Sequence, residues 1–310
     1  MTEGLRGRDF LTLMDLTAME ISGIIDTAID LKKRRAHKEP HACLLGRTYA
    51  MIFEKRSTRT RTSFQAAAAQ LGAQSFYMRP DEMQLGRGEP VKDTARVIDR
   101  YCDGLFIRTY DQSIVEEFAD YMEHPVINAL TDQYHPCQGL ADLMTIKEQL
   151  GTWAGIKLVY VGDVFNVSNT LLIAGAKLGF DVVVAAPKGH DPDPALFAKV
   201  GEMARESGAA LEISHDLSQS ILDADVVYAN TWHSMGRTDV DERRATFRPF
   251  QINREMMDLA KDEAIFMHCL PGYRGEEMTD EIIEGTQSVV WEEAENRMHT
   301  EKAILKLFSS

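Results

Sequence analysis

A chain of 310 residues with 44% hydrophobic content can hold two domains of ordinary size, and no run approaches a membrane span. A formal net charge of −14 argues against nucleic acid as a partner, so any anion site must be a local basic pocket in an acidic protein. The four cysteines, Cys43, Cys102, Cys137 and Cys269, lack metal or redox spacing and are expected as free thiols; no metal or other cofactor is expected.

The opening residues carry no signal-peptide core, which makes a cytoplasmic enzyme the expectation. An amphipathic helix is predicted over 17–35, with Ile21, Ile24, Ile25, Ala28 and Ile29 at helical spacing. A buried strand follows over 47–53, then a polar turn, then an alanine-rich helix over 60–71 with Gly72 at the C-terminal cap. The next strand spans 73–78. A helix over 139–150 bridges into the second half, where a strand over 157–162, a helix over 168–178 and a strand over 180–186 form a Rossmann-like unit. The segment Gly162-Asp163-Val164-Phe165-Asn166-Val167 lacks the dinucleotide fingerprint, which excludes NAD. A final helix is predicted over 292–308.

The turn Glu54-Lys55-Arg56-Ser57-Thr58-Arg59-Thr60-Arg61 sets hydroxyls and guanidiniums at a helix start. A helix N-terminus presents unpaired N–H groups and a positive dipole end, and Arg adds a planar fork matched to phosphate oxygens. The turn is not a Walker loop, because the glycines and the Gly-Lys-Ser/Thr ending are missing. Taken alone it reads equally well as a solvated basic turn with capping Ser and Thr.

Further segments, in order, decide between the two: Phe106-Ile107-Arg108-Thr109-Tyr110, Tyr134-His135-Pro136-Cys137-Gln138, Asn230-Thr231-Trp232-His233-Ser234-Met235-Gly236, Met267-His268-Cys269-Leu270-Pro271 and Glu295-Asn296-Arg297. Together they resemble the aspartate and ornithine carbamoyltransferase superfamily, and the Ser-Met-Gly and His-Cys-Leu-Pro segments resemble its ornithine branch. The resemblance covers nearly the whole chain. It implies an α/β fold of two Rossmann-like parallel-sheet domains with an interdomain active-site cleft. Residues 1–138, joined by the helix over 292–310, would bind carbamoyl phosphate; residues 139–150 would link; residues 151–291 would bind the amine. The implied reaction moves the carbamoyl group to the side-chain amine of ornithine, giving citrulline and phosphate, in a homotrimer or a multiple of trimers.

By the same resemblance, Ser57, Thr58, Arg59 and Thr60 form the phosphate loop. Arg108 and His135 reach the carbamoyl oxygen and phosphate, and Thr60 helps to polarise the carbonyl. Gln138 and the Leu270 carbonyl hold the carbamoyl nitrogen, Arg297 adds a further contact, and Gln84 serves a neighbouring subunit's site. Asn166, Asn230, Ser234, Met235 and Cys269 match the ornithine side, with Cys269 assigned to the amine substrate. The Leu270–Pro271 bond is expected to be cis. His268 beside Cys269 suggests a thiol nucleophile only superficially, because adjacent strand residues face opposite ways.

One position departs from the pattern: the family carries an aspartate where this chain has Asn230. Three readings stay open. Another carboxylate such as Asp163 compensates; the acceptor is an amine such as putrescine or an N-acylated ornithine; or the chain is a paralogue with weakened catalysis. Putrescine and acetylornithine branches differ at the Ser-Met-Gly segment, which favours ornithine. A non-catalytic binding protein on the same scaffold is the alternative of another class, and the intact phosphate loop argues against it.

Overall fold

The computed structural model describes residues 3–232 and 239–309. The chain forms two compact units: Met1–Met144 with Glu295–Ser310, and Thr145–Ala294.

In the first unit, α1 (Ala18–Ala36) opens with a capping box. Thr17 Oγ1 accepts from the Glu20 N–H at 3.2 Å, and the Glu20 carboxylate accepts from the Thr17 N–H at 2.7 Å. Ile21, Ile24, Ile25, Ala28 and Leu31 form its buried stripe. Ile29, expected in that stripe, sits half-buried at its edge. Strand β1 (Thr48–Phe53) leads through the basic turn into α2 (Arg59–Gln70), and β2 is Gln74–Met78. Gly72 ends α2 in the left-handed region at φ 86°, as the sequence requires at that cap. Then come α3 (Val91–Asp99), β3 (Leu105–Arg108), α4 (Gln112–Tyr121), β4 (Val126–Leu130) and α5 (Pro136–Leu150). The four strands are all parallel in the order β2-β1-β3-β4. Ala50, Ile52, Leu105, Ile107 and Val126 pack with Ala95, Val115 and Phe118 beneath one face.

The second unit holds β5 (Lys157–Val161), α6 (Asn166–Leu178), β6 (Asp181–Ala185), α7 (Pro194–Ser207), β7 (Leu211–Ser214), α8 (Leu217–Ile221) and β8 (Val226–Ala229). Helix α9 (Val240–Phe247), α10 (Arg254–Met257), β9 (Ile265–His268) and α11 (Asp280–Ile283) complete it. Its five strands are also all parallel, in the order β7-β6-β5-β8-β9. Strands β5, β6, β8 and β9 are apolar at nearly every position, as strands covered on both faces must be. The last helix, α12 (Val290–Phe308), contributes its start to the second unit and the rest to the first.

In each sheet the strand order reverses direction once, between β1 and β3 and between β5 and β8. In open parallel sheets ligands bind beyond the carboxyl ends of the strands at such switch points. The basic turn and Arg108 stand at the first, and Gly162 to Asn166 with Asn230 stand at the second.

At the second switch point Gly162 has φ 141°, and a Cβ there would come within 2.5 Å of the Asn230 carbonyl oxygen. Gly162→Ala is therefore expected to destabilise the protein by about 2–4 kcal/mol through strain and clash. Gly201 lies inside α7 with open space around it, so Gly201→Ala should stabilise by about 0.5–1 kcal/mol. Urea titration of both variants checks the contrast.

Candidate functional site

The first switch point carries a cluster of cations around a buried hydroxyl. Thr60, 2% exposed in the first turn of α2, accepts from Arg297 at 3.1 Å and from Arg108 at 3.5 Å. With its lone pairs facing two guanidiniums, its O–H is the group left to donate to a ligand. Arg297 also donates to Gln138 Oε1 at 2.6 Å and to Glu301 Oε1 at 3.2 Å. Gln138 passes the chain on, its Nε2 donating to Asp142 Oδ1 at 2.7 Å, which fixes the amide with oxygen toward Arg297. The structure thus brings Thr60, Arg108, Gln138 and Arg297 into one hydrogen-bonded group.

Local sequence explains each placement. Ser57 Oγ accepts from the Thr60 N–H at 3.2 Å and helps order the α2 start, where Thr58 makes no side-chain cap. Thr58 is exposed and Ser57 and Arg59 are half-buried. Arg108 ends β3 where the pairing with β4 shifts between Ile107 and Arg108, and such irregularities re-aim a strand's last side chains. His135 lies just before α5, which starts at Pro136, three residues before the expected Gly139. Proline suits that first helical position because the N–H it lacks would be unpaired there. The His135 carbonyl accepts from the N–H groups of Gln138 and Gly139 at 3.0 and 3.1 Å.

The electrostatics are those of an anion site. Burial, reinforced by Arg297, Arg108 and Arg59, pushes the His135 pKa well below 6.5, so the imidazole is neutral near pH 7. Burial raises the Glu301 carboxyl to about 7 against the lowering effect of Arg297 and Ser63. The buried carboxylate beside Arg297 is therefore only partly ionised at neutral pH, and it offsets the positive charge only in part. Of the other arginines in the turn, Arg61 stacks over Tyr77 at 3.6 Å from the ring centre and Arg56 is exposed. Lys55 is ion-paired with Asp132. Gln84 is exposed just before a short turn of helix at Leu85–Arg87, and its carbonyl accepts from the N–H groups of Arg87 and Glu89.

The second switch point is polar but neutral. Asn230, 2% exposed, follows β8. Its Nδ2 donates to Tyr160 Oη at 2.8 Å, and Tyr160 in turn donates to the Asp163 carbonyl oxygen at 2.5 Å. Its Oδ1 accepts from the Thr231 N–H at 2.8 Å and from Cys269 Sγ at 3.3 Å. Burial holds the Tyr160 pKa well above 10, so this hydroxyl keeps its proton. Asn166 opens α6 at 3% exposure, and its carbonyl accepts from Thr170. Asp163 is ion-paired with Arg243, itself 5% exposed, whose Nε donates to the Trp232 carbonyl at 2.7 Å. Asp163 is thus committed, not a free carboxylate.

Cys269 and His268 part company as adjacent residues at a strand end should. The His268 Nδ1 accepts from the Leu270 N–H at 2.8 Å, so Nε2 carries the proton and donates to buried Glu277 at 3.1 Å. Glu277 also accepts from the Tyr273 N–H at 2.8 Å, and Glu293 accepts from the His268 N–H at 2.9 Å. The Leu270–Pro271 peptide is cis. Ser234 and Met235 lie outside the described residues. Among the described residues no group of His, Cys, Asp and Glu has metal-site geometry, and no helix is long and apolar enough to cross a membrane.

Sequence comparison matches both halves. Residues 8–148 match the carbamoyl-phosphate-binding domain of aspartate/ornithine carbamoyltransferase, and residues 154–308 match its aspartate/ornithine-binding domain. This chain belongs to the aspartate/ornithine carbamoyltransferase family. An ornithine carbamoyltransferase of Pyrococcus abyssi is 51% identical over 308 residues, spanning 99% of this chain and 97% of that protein. The anabolic ornithine carbamoyltransferase of Pyrococcus furiosus is 50% identical over 308 residues, with 99% and 98% covered. The solved ornithine carbamoyltransferase from P. furiosus superposes with a TM-score of 0.96 over 98% of each chain, and that from Campylobacter jejuni with 0.91 over 96% of this chain and 98% of that one.

Against that family background, sequence reasoning missed Glu301, Asp142, Tyr160, Glu277 and Arg243, which position the matched residues rather than belonging to the motifs. Glu301 carries a testable consequence. Protonation of a carboxyl beside Arg297 favours an anion, so carbamoyl phosphate affinity should rise as pH falls through about 7. Comparing calorimetric affinities of the wild type and Glu301→Gln between about pH 6 and 8 cancels the ligand's own titration. The wild type is expected to change roughly three- to tenfold more than the variant.

Proposed function

We propose that this carbamoyltransferase moves the carbamoyl group of carbamoyl phosphate to the side-chain amine of L-ornithine, giving L-citrulline and phosphate in the biosynthetic direction. The observation that carries this reading is the Thr60, Arg108, Gln138 and Arg297 cluster beside neutral His135. It supplies positive charge for a phosphate and donors for a carbonyl oxygen in one buried place. The full-length similarity to enzymes named ornithine carbamoyltransferase supports ornithine as acceptor.

In this reading the neutral amine attacks the carbonyl carbon, a C–N bond forms, and the C–O bond to phosphorus breaks with its electron pair leaving on phosphate. The amine proton departs to the phosphate or to water. Negative charge on the carbonyl oxygen is met by Arg108, the Thr60 hydroxyl and an imidazole N–H of His135. The α2 start, Ser57 and Thr58 with Arg59, holds the phosphate. Gln138 Oε1 and the Leu270 carbonyl accept from the carbamoyl NH2, and Arg297 orients Gln138. Asn166, Asn230, Ser234, Met235 and Cys269 hold the amino acid. Gln84 reaches the phosphate of a neighbouring copy in a cytoplasmic homotrimer.

Two measurements test the assignment. Phosphate and citrulline should appear together from carbamoyl phosphate and ornithine; phosphate-free binding alone would reduce the chain to a binding protein. Arg297→Ala should lower kcat/KM roughly 10- to 150-fold, the worth of a charged hydrogen bond of about 1.5–3 kcal/mol. Light scattering reads the oligomer, and a monomer with full activity would remove Gln84 from the site.

A further inference from the structure

Among the described residues, the amine side of the second unit is built without a free negative charge. The described carboxylates near the carboxyl ends of β5, β8 and β9 are each engaged within the chain. Asp163 pairs with buried Arg243, and Asp239 lies 3.9 Å from the same guanidinium. Glu277 serves His268 and the Tyr273 N–H, and Glu293 serves the His268 N–H and the Tyr228 hydroxyl. Glu276 is paired with Arg244 at 2.7 Å.

What stands at the end of β8 is an amide. Tyr160 donates its proton to the Asp163 carbonyl, so its oxygen must accept from Asn230, and this fixes which end of the Asn230 amide faces the strand. The Asn230 oxygen that remains already receives the Thr231 N–H and the Cys269 thiol. A substrate ammonium placed there meets a neutral, doubly occupied oxygen. In the reading above, the substrate carboxylate falls to Asn166 at the start of α6. Among the described residues, no uncommitted carboxylate stands at the end of β8 to meet an α-ammonium.

We propose that the enzyme also carbamoylates ω-amino carboxylates that lack a free α-ammonium, at an efficiency comparable to that with ornithine, and that Asn230 is the residue responsible. This rests on the carbamoyltransferase reading above. A buried aspartate at this position would supply the missing counter-charge; the amide supplies only a weak acceptor, so the α-ammonium adds little to binding.

The test compares L-ornithine with 5-aminopentanoate, which keeps the ω-amine and the carboxylate and has no α-amino group. Initial rates of phosphate release with carbamoyl phosphate give kcat/KM for each. The expected ratio of ornithine to 5-aminopentanoate is below about tenfold in the wild type, and Asn230→Asp should raise it about tenfold or more. A wild-type preference for ornithine above about a hundredfold overturns the proposal. The same ratio measured on the wild type from about pH 7 to about pH 10 is a check free of any folding defect in the variant. Because the ω-amine terms cancel, the ratio should stay flat as the α-ammonium of ornithine titrates. A fall of about tenfold would reveal a charge partner and sink the idea. Phosphate release with neither amine would remove the carbamoyltransferase reading itself, a different result from a strong preference for ornithine.

Discussion

Arg297 is 3% exposed and is held by acceptors on separate elements: Thr60 on α2, Gln138 on α5 and Glu301 one turn further along α12. A guanidinium removed from water costs several kcal/mol unless its donors are met, and removing one partner of such a group typically costs about 3–5 kcal/mol. The pieces that bind Arg297 are therefore tied to each other through it. The same contacts hold Thr60 and Gln138 in fixed orientation, so the stability of the first unit and the geometry of its anion site rest on one side chain. The partial protonation of Glu301 leaves the arrangement short of neutrality, which is the condition an anionic ligand completes.

The two sheets use one topology for opposite electrostatic ends. Both are parallel, both reverse order at an inner pair of strands, and both bring loops together beyond the carboxyl ends there. At β1 and β3 those loops deliver arginines and a neutral imidazole. At β5 and β8 they deliver amides, joined by the Tyr160 phenol from within β5 and the Cys269 thiol after β9, with Asp163 and Arg243 cancelling each other. In an acidic protein the first arrangement is the exception, and it requires burial to keep surrounding carboxylates from neutralising it. The close approach at Gly162 belongs to the second arrangement, since the Asn230 backbone occupies the space of a side chain there.

Much of this was legible in the sequence where the signal is local. The alternation of apolar runs with helical periodicity gave α1, β1, α2, β2, β5, α6 and β6 within a few residues, because capping residues and glycines mark their ends. Helix α5 starts at Pro136, inside the Tyr134 to Gln138 motif and ahead of the expected Gly139, because proline is tolerated in a first turn. Strands such as Leu105–Arg108 and Val226–Ala229 are four residues long and buried on both faces, too short for a period to show. In the site, Thr60, Arg108, Gln138 and Arg297 came through ordered motifs. Their partners did not: Glu301 and Asp142 sit on ordinary helical stretches, and Arg243 reaches Asp163 from 80 residues away in a segment with no local mark. Long-range pairing leaves no periodic trace.

The first unit is discontinuous in sequence, and its last segment, Glu295–Ser310, carries Arg297 as well as Phe308, whose ring packs 5.6 Å from that of Phe10 and whose carbonyl accepts from the Gly7 N–H. A ribosome makes these residues after all the rest of both units. All of Thr145–Ala294 is therefore synthesised while the earlier unit still lacks its closing helix and its central cation. Completion of the first unit therefore follows synthesis of the whole second unit, unlike the simple case in which an amino-terminal domain is finished first. The middle of the polypeptide carries every strand of its own sheet, whereas the beginning is closed by residues from the far end of the sequence.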